Sequence, residues 1–379
     1  MRGVWVSAYL WHMHDATVPS SPERRDVRSL SDAELSEILV SWGEKPFRAR
    51  QVSEWIWTRA AGGFEEMSNL SKSLRERLES AFSLQRITRV EKQVSSDGTI
   101  KCAFEVAPGK VVEGVLIPTK SRMTACISSQ VGCSLSCTFC ATGRLKLMKN
   151  LTAAEIYDQV EMLNAMALEH YQQPLSNIVF MGMGEPLLNY SQVLEGISRI
   201  TGTPGLGISP KRITVSTAGI AKAIDRLADD GVKFHLALSL HAADDAKRNE
   251  IMAINQSNSL EVLARSLRHF HEKTGERVTF EYIIFKDFND GIEDARALAR
   301  FCKNVPCKIN IIEYNPIDAG GFQMTTPERL EAFVSFLEGC NLVVNVRRSR
   351  GKDIDAACGQ LANKNEAGLR TRLTKELPS

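Results

Sequence analysis

The chain of 379 residues lacks several features that would place it in a special class of protein. No apolar run reaches the roughly eighteen residues of a membrane-spanning helix, so no membrane association is predicted. The short apolar stretch 3–11 is followed by His12 and His14 and does not predict a signal peptide. Acidic residues (45) nearly balance basic ones (47), and with a net charge of +2 any nucleic-acid-binding surface must be local.

Cysteine is scarce and odd in number, with nine in the chain, which argues against a disulfide framework. We therefore expect the protein in the reducing cytoplasm, where free thiolates can hold a metal cluster. Four of the nine have no motif around them and are interpreted as small core or surface residues. These four are Cys102, Cys302, Cys307 and Cys340.

The first part of the chain divides into three segments. Residues 1–30, with Pro19 and Pro22, show no sustained period and are expected to form a flexible leader. A capping box at Ser31 opens a helical domain over 31–85, in which the spacing predicts helices from Ser31, over 48–59 and from Ser71. Loosely alternating runs over 86–118, separated by turn residues, predict a short antiparallel β linker.

From residue 119 to 362 short apolar runs alternate with amphipathic segments, which predicts a parallel sheet with helices outside it. The predicted strands are 123–128, 178–183, 213–217, 234–240, 278–285, 308–314 and 342–347. The predicted helices are 153–168, 191–201, 219–230, 259–273, 291–303 and 326–338. Six β/α units are too few for an eightfold barrel, so we expect an α/β fold with a partial (β/α)6-type barrel. Residues 363–379 are expected to be a charged, frayed tail.

Three cysteines, Cys133, Cys137 and Cys140, follow the first barrel strand at the spacing C-x3-C-x2-C. No fourth cysteine or histidine lies within ligand reach, whereas structural zinc sites and ferredoxin-type clusters use four protein ligands. Three thiolates fit a [4Fe–4S] cluster that leaves one iron open to a small molecule. The alternative is three small buried cysteines, against which stands the loop-like composition of this stretch.

A glycine-rich turn with a carboxylate, GMGEP at 182–186, follows the second barrel strand. The glycines allow a backbone carbonyl and Glu185 to approach an ammonium group closely. Together with the cysteine motif one unit earlier, this turn resembles the radical S-adenosylmethionine (SAM) superfamily. The resemblance implies that the open iron binds the amino and carboxylate groups of SAM, and that the cluster cleaves SAM to a 5′-deoxyadenosyl radical.

Further motifs resemble one family within that superfamily, the RlmN family of dual-specificity 23S rRNA and tRNA adenine-C2 methyltransferases. The resemblance extends from about residue 31 to 361. Its motifs are CISSQVGC (126–133), GMGEPLLN (182–189), ITVSTAG (213–219), LSLH (238–241), EYNP (313–316) and RGKDIDAACGQL (350–361).

The resemblance implies a role for particular residues and two cofactors, a [4Fe–4S] cluster and SAM. Cys133, Cys137 and Cys140 would hold the cluster. The expected SAM contacts are Gly184, Glu185, Ser216, Ser239, Leu240, His241 and Asn315. Taken alone, His241 is typical of a core histidine, and Ser216 and Asn315 of turn or capping residues.

The same resemblance implies a covalent route to the methylated base. Cys358 would take a methyl group from a first SAM, and a radical from a second SAM would remove a hydrogen atom from that methyl group. The methylene radical would add to C2 of adenine, an electron-poor carbon for which a polar transfer is slow. Glu113 would accept a proton, and Cys126 would attack the sulfur of Cys358, leaving a transient disulfide.

The implied partners are 23S rRNA, at the peptidyl-transferase centre, and tRNA, at the adenine next to the anticodon. A reducing donor such as flavodoxin or ferredoxin and a monomeric enzyme are also expected. The helical domain interleaves basic and aromatic residues as an RNA-binding face does, although such tryptophans are more often core. Basic residues beside Cys358 are expected to contact phosphate. They are Arg347, Arg348, Arg350 and Lys352.

Two segments depart from the family pattern, at Ala253 and Gln256 and after the cluster motif, where 143–151 lacks a second glycine. They put the shape of a substrate-side loop in doubt and leave the reaction type untouched. Two alternatives stay open. A related C8-methylating resistance enzyme shares Cys126, Cys358 and the cluster, and a non-catalytic iron–sulfur RNA-binding or assembly protein shares the cluster alone.

Overall fold

The computed structural model describes residues 24–318, 320–362 and 364, so most of the predicted leader and tail lies outside it. In this part the α-helices are α1 (Asp32–Ser41), α2 (Phe47–Trp57), α3 (Lys72–Ala81), α4 (Ala153–Tyr171), α5 (Tyr190–Thr201), α6 (Ala221–Asp229), α7 (Asp245–Ile251), α8 (Leu260–Thr274), α9 (Ile292–Cys302) and α10 (Pro327–Gly339). The strands are β1 (Thr88–Val94), β2 (Ile100–Ala107), β3 (Lys110–Pro118), β4 (Met123–Cys126), β5 (Gln130–Val131), β6 (Lys149–Asn150), β7 (Asn177–Phe180), β8 (Ile213–Thr217), β9 (His235–Ser239), β10 (Val278–Ile284), β11 (Cys307–Glu313) and β12 (Val344–Arg347).

Helices α1, α2 and α3 form the N-terminal domain that the apolar spacing predicts. Ser31 caps α1 with a complete capping box, since its hydroxyl accepts the Glu34 N–H and the Glu34 carboxylate accepts the Ser31 N–H. Ser71 caps α3 in the same way through the Leu74 N–H, without the returning carboxylate. Both helix starts therefore follow directly from a hydroxyl side chain at the N-cap.

The predicted flexible leader extends too far, because its last residues are packed. Val27–Ser29 is a short 3-10 helix in which the Asp26 carboxylate accepts the Arg28 N–H. Val27 and Leu30 are buried with the helical core, and the Arg28 guanidinium reaches Asp158 on α4. Val27 and Leu30 are two isolated apolar residues and therefore show no helical or strand period in the sequence, although both side chains pack into the core of the domain.

One ten-stranded sheet runs in the order β1-β2-β3-β4-β7-β8-β9-β10-β11-β12. The first three strands are antiparallel, as predicted, and β3 pairs antiparallel with β4 through Val115 and Cys126. From β4 onward every neighbouring pair is parallel. The β linker thus extends the barrel sheet and places Glu113 beside the first barrel strand.

Seven parallel strands and the helices between them confirm the predicted partial (β/α)6-type barrel. Two of the first strands are shorter than predicted: β4 ends at Cys126 and β7 at Phe180, because the chain turns there into the site loops. Helix α7 was not predicted at all. Its seven residues are too few to show a helical period, and the Asp244 carboxylate caps it by accepting the Lys247 N–H.

The segment after β12 crosses back over the barrel to the first strands. Arg350 donates to the backbone carbonyls of Asp97 and Pro118, and the Asp353 carboxylate accepts hydrogen bonds from the Ser95 hydroxyl and the Ser96 N–H. These contacts join the two edges of the open sheet without strand pairing. Among the helices of residues 24–362 that the structure describes, none is long and apolar enough to cross a bilayer.

We predict that Asp158→Asn weakens the attachment of the N-terminal domain to the barrel and so lowers the stability of the protein. Asp158 is almost fully buried and accepts hydrogen bonds from Arg28 (2.8 Å), Arg86 (3.1 Å) and the Ile87 backbone (3.2 Å). The variant removes the negative charge opposite Arg28 and Arg86, and this lowers the free energy of unfolding by about 3 kcal/mol. Urea unfolding followed by circular dichroism measures this loss.

The control is Glu261→Gln, which breaks the exposed ion pair with Arg265 on α8. A pair of this kind contributes less than about 1 kcal/mol. Equal losses of stability in the two variants would contradict a fastening role for Asp158.

Candidate active site

The three cysteines of the C-x3-C-x2-C motif lie on a loop that begins after β4 and passes through β5. Backbone hydrogen bonds hold this loop: the Cys133 N–H donates to Leu145 (3.2 Å) and the Thr138 N–H to Ile251 (3.1 Å). All three cysteines line one cavity, here called the cluster cavity. Its other lining residues include Gly184, Glu185, Ser216, Ser239, His241, Glu281 and Cys358.

The chemistry of these thiols fits an iron–sulfur cluster better than a single ion. Among the residues that the structure describes, no three His, Cys, Asp or Glu side chains converge as one metal ion requires. A cluster distributes its thiolate ligands over different irons, so cysteines spread around a cavity suit it. Burial raises the pKa of Cys133 to about 11 and also raises the pKa of Cys137 and Cys140, so a cationic group is needed to hold them as thiolates.

Gly184 and Glu185 line the cluster cavity on the segment that follows β7. Gly184 has φ of +92°, and a Cβ there would lie 2.4 Å from Cβ of Gln130, so only glycine fits. The Glu185 carboxylate accepts the backbone N–H groups of Leu187 (3.0 Å) and Ala218 (2.7 Å). Burial nevertheless raises the pKa of this carboxyl, against the effect of these hydrogen bonds.

Ser216, Ser239 and His241 come from the ends of β8 and β9. The two serine hydroxyls lie 3.3 Å apart, and both line the cluster cavity with His241. The His241 Nδ1 atom accepts the Ile283 N–H (3.0 Å), so the neutral ring carries its proton on Nε2. Burial lowers the pKa of His241 to about 3, and the nearby Arg248 adds to this effect.

Two expected SAM contacts, Leu240 and Asn315, are not among the residues that line the cluster cavity. Leu240 is fully buried, and its backbone carbonyl accepts a hydrogen bond from Arg248 (3.0 Å). Asn315 donates from its side-chain amide to the backbone carbonyl of Cys358 (3.3 Å). In this conformation Asn315 therefore holds the segment that bears Cys358.

Cys126 and Cys358, 232 positions apart in the chain, line a second cavity, here called the cysteine cavity. Cys358 lines both cavities, together with Met181, Ile312 and Leu361. Both thiols are free in this structure. The Cys358 segment is held on the cluster loop, because the Gly359 carbonyl accepts the Ala141 N–H (2.8 Å) and the Leu361 carbonyl accepts the Thr142 hydroxyl (2.7 Å).

Glu113 lies close to this segment but lines neither cavity. Only 1% of the residue is exposed. Its carboxylate accepts the Ala362 N–H (2.9 Å) and lies 3.7 Å from the ammonium group of Lys101. The structure thus places the expected proton acceptor where it anchors the end of the C-terminal segment.

Sequence reasoning missed Arg248, on α7, which is fully buried. Its guanidinium donates to the carbonyls of Ala218 (2.6 Å) and Leu240 (3.0 Å) and to the Asn255 side chain (2.7 Å). It therefore joins the ends of β8 and β9 to the 3-10 helix Ala253–Gln256. No local pattern distinguishes it from a surface arginine. The two departing residues of that 3-10 helix, Ala253 and Gln256, are exposed, whereas Asn255 is buried.

A partial barrel with three cysteines around a cavity that also contains a glycine–glutamate turn defines a radical SAM enzyme. Two family models agree with this assignment. Residues 127–302 match the Radical SAM superfamily, and residues 26–84 match the Ribosomal RNA large subunit methyltransferase N-terminal domain. Superfamily members use a [4Fe–4S] cluster and SAM, which confirms the two predicted cofactors.

Similar proteins cover nearly the whole chain. A probable dual-specificity RNA methyltransferase RlmN of Cytophaga hutchinsonii is 58% identical, over 95% of this chain and 99% of the relative. The dual-specificity RNA methyltransferase RlmN of Anaeromyxobacter dehalogenans is 42% identical over 90% and 93%. The crystal structure of a radical SAM methyltransferase from Sphaerobacter thermophilus, 38% identical, superposes with a TM-score of 0.84 over 89% of this chain and 99% of that one. The chain belongs to the RlmN family of radical SAM methyltransferases.

We predict that His241 makes the stability of the protein fall in acid. The folded protein holds His241 neutral down to about pH 3, whereas the unfolded chain binds the proton near pH 6.5. The unfolded state therefore gains protons first as the pH falls below 6.5, and stability declines by about 1.4 kcal/mol for each pH unit. Unfolding in urea at pH 7.5 and pH 5.5 measures this slope.

His241→Gln removes the titrating group, so the gap in unfolding free energy between wild type and variant should narrow by about 1.4 kcal/mol from pH 7.5 to pH 5.5. His269→Gln, on an exposed face of α8, controls for the loss of a histidine. A gap that stays constant with pH would show that His241 does not titrate in this way.

Proposed function

We propose that the enzyme methylates C2 of a specific adenine in 23S rRNA, at the peptidyl-transferase centre, and of the adenine next to the anticodon in some tRNAs. Each methylation consumes two SAM and passes through an S-methylcysteine at Cys358. One observation carries the proposal: Cys358 lines both the cluster cavity and the cysteine cavity, and Cys126 lines the second. A methyl carrier needs access to SAM on one side and to a resolving thiol on the other.

The cluster and SAM together supply a 5′-deoxyadenosyl radical, and the chain supplies the ligands and the methyl carrier. Cys133, Cys137 and Cys140 hold the cluster, and Gly184, with its close backbone approach, lets SAM reach it. Glu185, Ser216, Ser239 and His241 contact SAM from the ends of three successive strands. Leu240 and Asn315 do not line this cavity. Leu240 contributes through its backbone, whose carbonyl Arg248 holds in place, and Asn315 contributes by holding the segment that bears Cys358.

Cys126 then releases the product from Cys358. Its thiolate attacks the Cys358 sulfur, an S–S bond forms, and the bond from that sulfur to the substrate methylene breaks. The electron pair goes to the methylene carbon, which takes a proton and becomes the methyl group. A thiol reductant afterwards restores both cysteines.

Glu113 accepts the proton that adenine loses after the methylene radical has added to C2. The position of Glu113 adds a requirement to this step. Its carboxylate is engaged by the Ala362 N–H and lies outside both cavities. The hydrogen bond to Ala362 must therefore open before Glu113 reaches the base.

RNA binds through the N-terminal domain and the mouth of the barrel. Arginines of the domain stack on its aromatic rings, with Arg59 over Trp55 and Arg77 over Trp42 at 4.5 Å each, and Phe47 is exposed. Such stacked arginines and exposed rings accept unpaired bases. The target adenine leaves its stack to enter the barrel. The enzyme works as a cytoplasmic monomer with flavodoxin or ferredoxin as the electron donor.

The experiment uses anaerobically reconstituted enzyme with SAM, a reductant and either RNA, followed by mass mapping of the modified nucleoside. We expect 2-methyladenosine, 5′-deoxyadenosine and a methyl group on Cys358 in the purified protein. A product of 8-methyladenosine alone would instead assign the enzyme to the related C8-methylating type, and the absence of any methylated nucleoside would refute the proposal.

Cys126→Ala should trap a covalent adduct between protein and RNA, because the thiol that breaks the bond to Cys358 is missing. Cys358→Ala should abolish both methylation and adduct. The matched control is Cys340→Ala, which removes an exposed cysteine that lines neither cavity. Release of free product by Cys126→Ala at the wild-type rate would refute the resolving role.

A further inference from the structure

A positively charged arginine side chain lines the cysteine cavity, and the sheet positions the carboxylate with which it pairs. Arg347, the last residue of β12, lines this cavity with Cys126 and Cys358. Its guanidinium donates to the Glu281 carboxylate at 3.1 Å. Glu281, on β10, lines the neighbouring cluster cavity. The ion pair thus spans the boundary between the two cavities.

Strand register holds the acid of this ion pair in place. Glu281 pairs with Asn310 across β10 and β11, and Asn310 pairs with Asn345 across β11 and β12. The Asn310 amide donates to the other carboxylate oxygen of Glu281 at 2.8 Å. Arg347 lies two residues after Asn345 and so points to the same face of the sheet. The side chain of Glu281 is only 4% exposed, and a carboxylate so buried needs a cationic partner.

The cysteines of this cavity need help to react as thiolates. Burial raises the pKa of Cys126 to about 12, Cys358 adds to the rise, and the Arg347 guanidinium opposes it. Burial also raises the pKa of Cys358; the Arg347 guanidinium opposes this rise, whereas Glu281 and Cys140 add to it. The thiolate is the nucleophilic form of cysteine. Without the guanidinium, Cys126 would hold even less of this form at neutral pH.

Other charged groups near Cys126 are engaged elsewhere. Arg350 lines the same cavity but forms an ion pair with Asp97 and donates to Pro118. Arg348 lines it as well. Glu113 and Lys101, on the neighbouring strands β3 and β2, face each other outside the cavity.

We propose that Arg347 is a positioning residue for the cysteine pair: fixed by Glu281 and Asn310, it holds a positive charge at the cysteine cavity and stabilises the thiolate with which Cys126 attacks Cys358. This inference rests on the proposed function for the attack itself, which forms the S–S bond and returns the electron pair to the substrate methylene. It gives Arg347, a residue expected to contact phosphate, a role at the cysteine cavity through its ion pair with Glu281.

The first test measures Cys126 directly, without SAM or RNA. Cluster-containing protein is labelled anaerobically with methyl methanethiosulfonate between pH 7 and 9.5, and peptide mass spectrometry gives the labelling rate of Cys126. In Arg347→Met we expect labelling about tenfold slower at each pH, and the wild-type rate regained about one pH unit higher. Arg347→Lys, which keeps the charge and loses the planar fork, should fall between.

Two further variants separate charge from folding. Arg347→Met with Glu281→Gln leaves no buried carboxylate unpaired, so it should fold and still label Cys126 slowly. Arg265→Met, on an exposed face of α8, controls for the loss of one arginine and should label like wild type. Equal Cys126 rates in wild type and both Arg347→Met proteins, or slow rates that do not recover at higher pH, would overturn the proposal.

The second test uses substrate RNA. Arg347→Met should accumulate the covalent protein–RNA adduct at pH 7 and release methylated product when the pH is raised. If the variant instead releases product at pH 7 as fast as wild type, Arg347 has no part in resolution. Wild type that forms neither adduct nor 2-methyladenosine would refute the proposed function, while the labelling rates would still report on Arg347.

Discussion

The C-terminal segment, residues 351–362, crosses from the last strand of the open sheet to its first strands, and both cavities depend on this crossing. It is held at three places: Asp353 accepts from Ser95, the Gly359 carbonyl accepts the Ala141 N–H, and Ala362 donates to Glu113. Cys358 lies between the first two contacts, directly before Gly359. A sheet with two free edges would leave this cysteine far from Cys126, so these hydrogen bonds do the work that strand closure does in a complete barrel.

The interior of the barrel contains charged groups that are kept in place by hydrogen bonds from several elements. Arg248 links the ends of β8 and β9 to Asn255, and Glu281 is held between Asn310 and Arg347. Buried charges of this kind cost free energy when a partner is lost, and they keep the loops that bear the expected SAM contacts in one arrangement. The hydrogen bonds of Arg248 and Glu281 therefore fix the geometry of the site more than they raise the net stability of the fold.

Much of the architecture was predictable because it depends on local chemistry. A capping box begins α1 at Asp32, as the spacing of Ser31 and Glu34 predicts, and the alternation of strands and helices gave the partial barrel. What local patterns missed is short or held by distant contacts. Helix α7 has seven residues, and the residues around Arg28 are ordered by an acid 130 positions away. Neither case leaves a period in the sequence.

The sequence by itself determined which kinds of residue are available: three cysteines at the spacing of a cluster motif, a glycine–glutamate turn, and two further cysteines near the first and last barrel strands. The motifs were found from their local spacing. Their convergence on one site was expected because the carboxyl ends of parallel strands meet at one edge of a sheet. Only the tertiary structure decided that Cys358 lies between two cavities while Glu113, Leu240 and Asn315 line neither. It also decided that the half-buried Arg347 pairs with the buried Glu281. The direction of a side chain and its distant partners come from packing and register, which no local pattern contains.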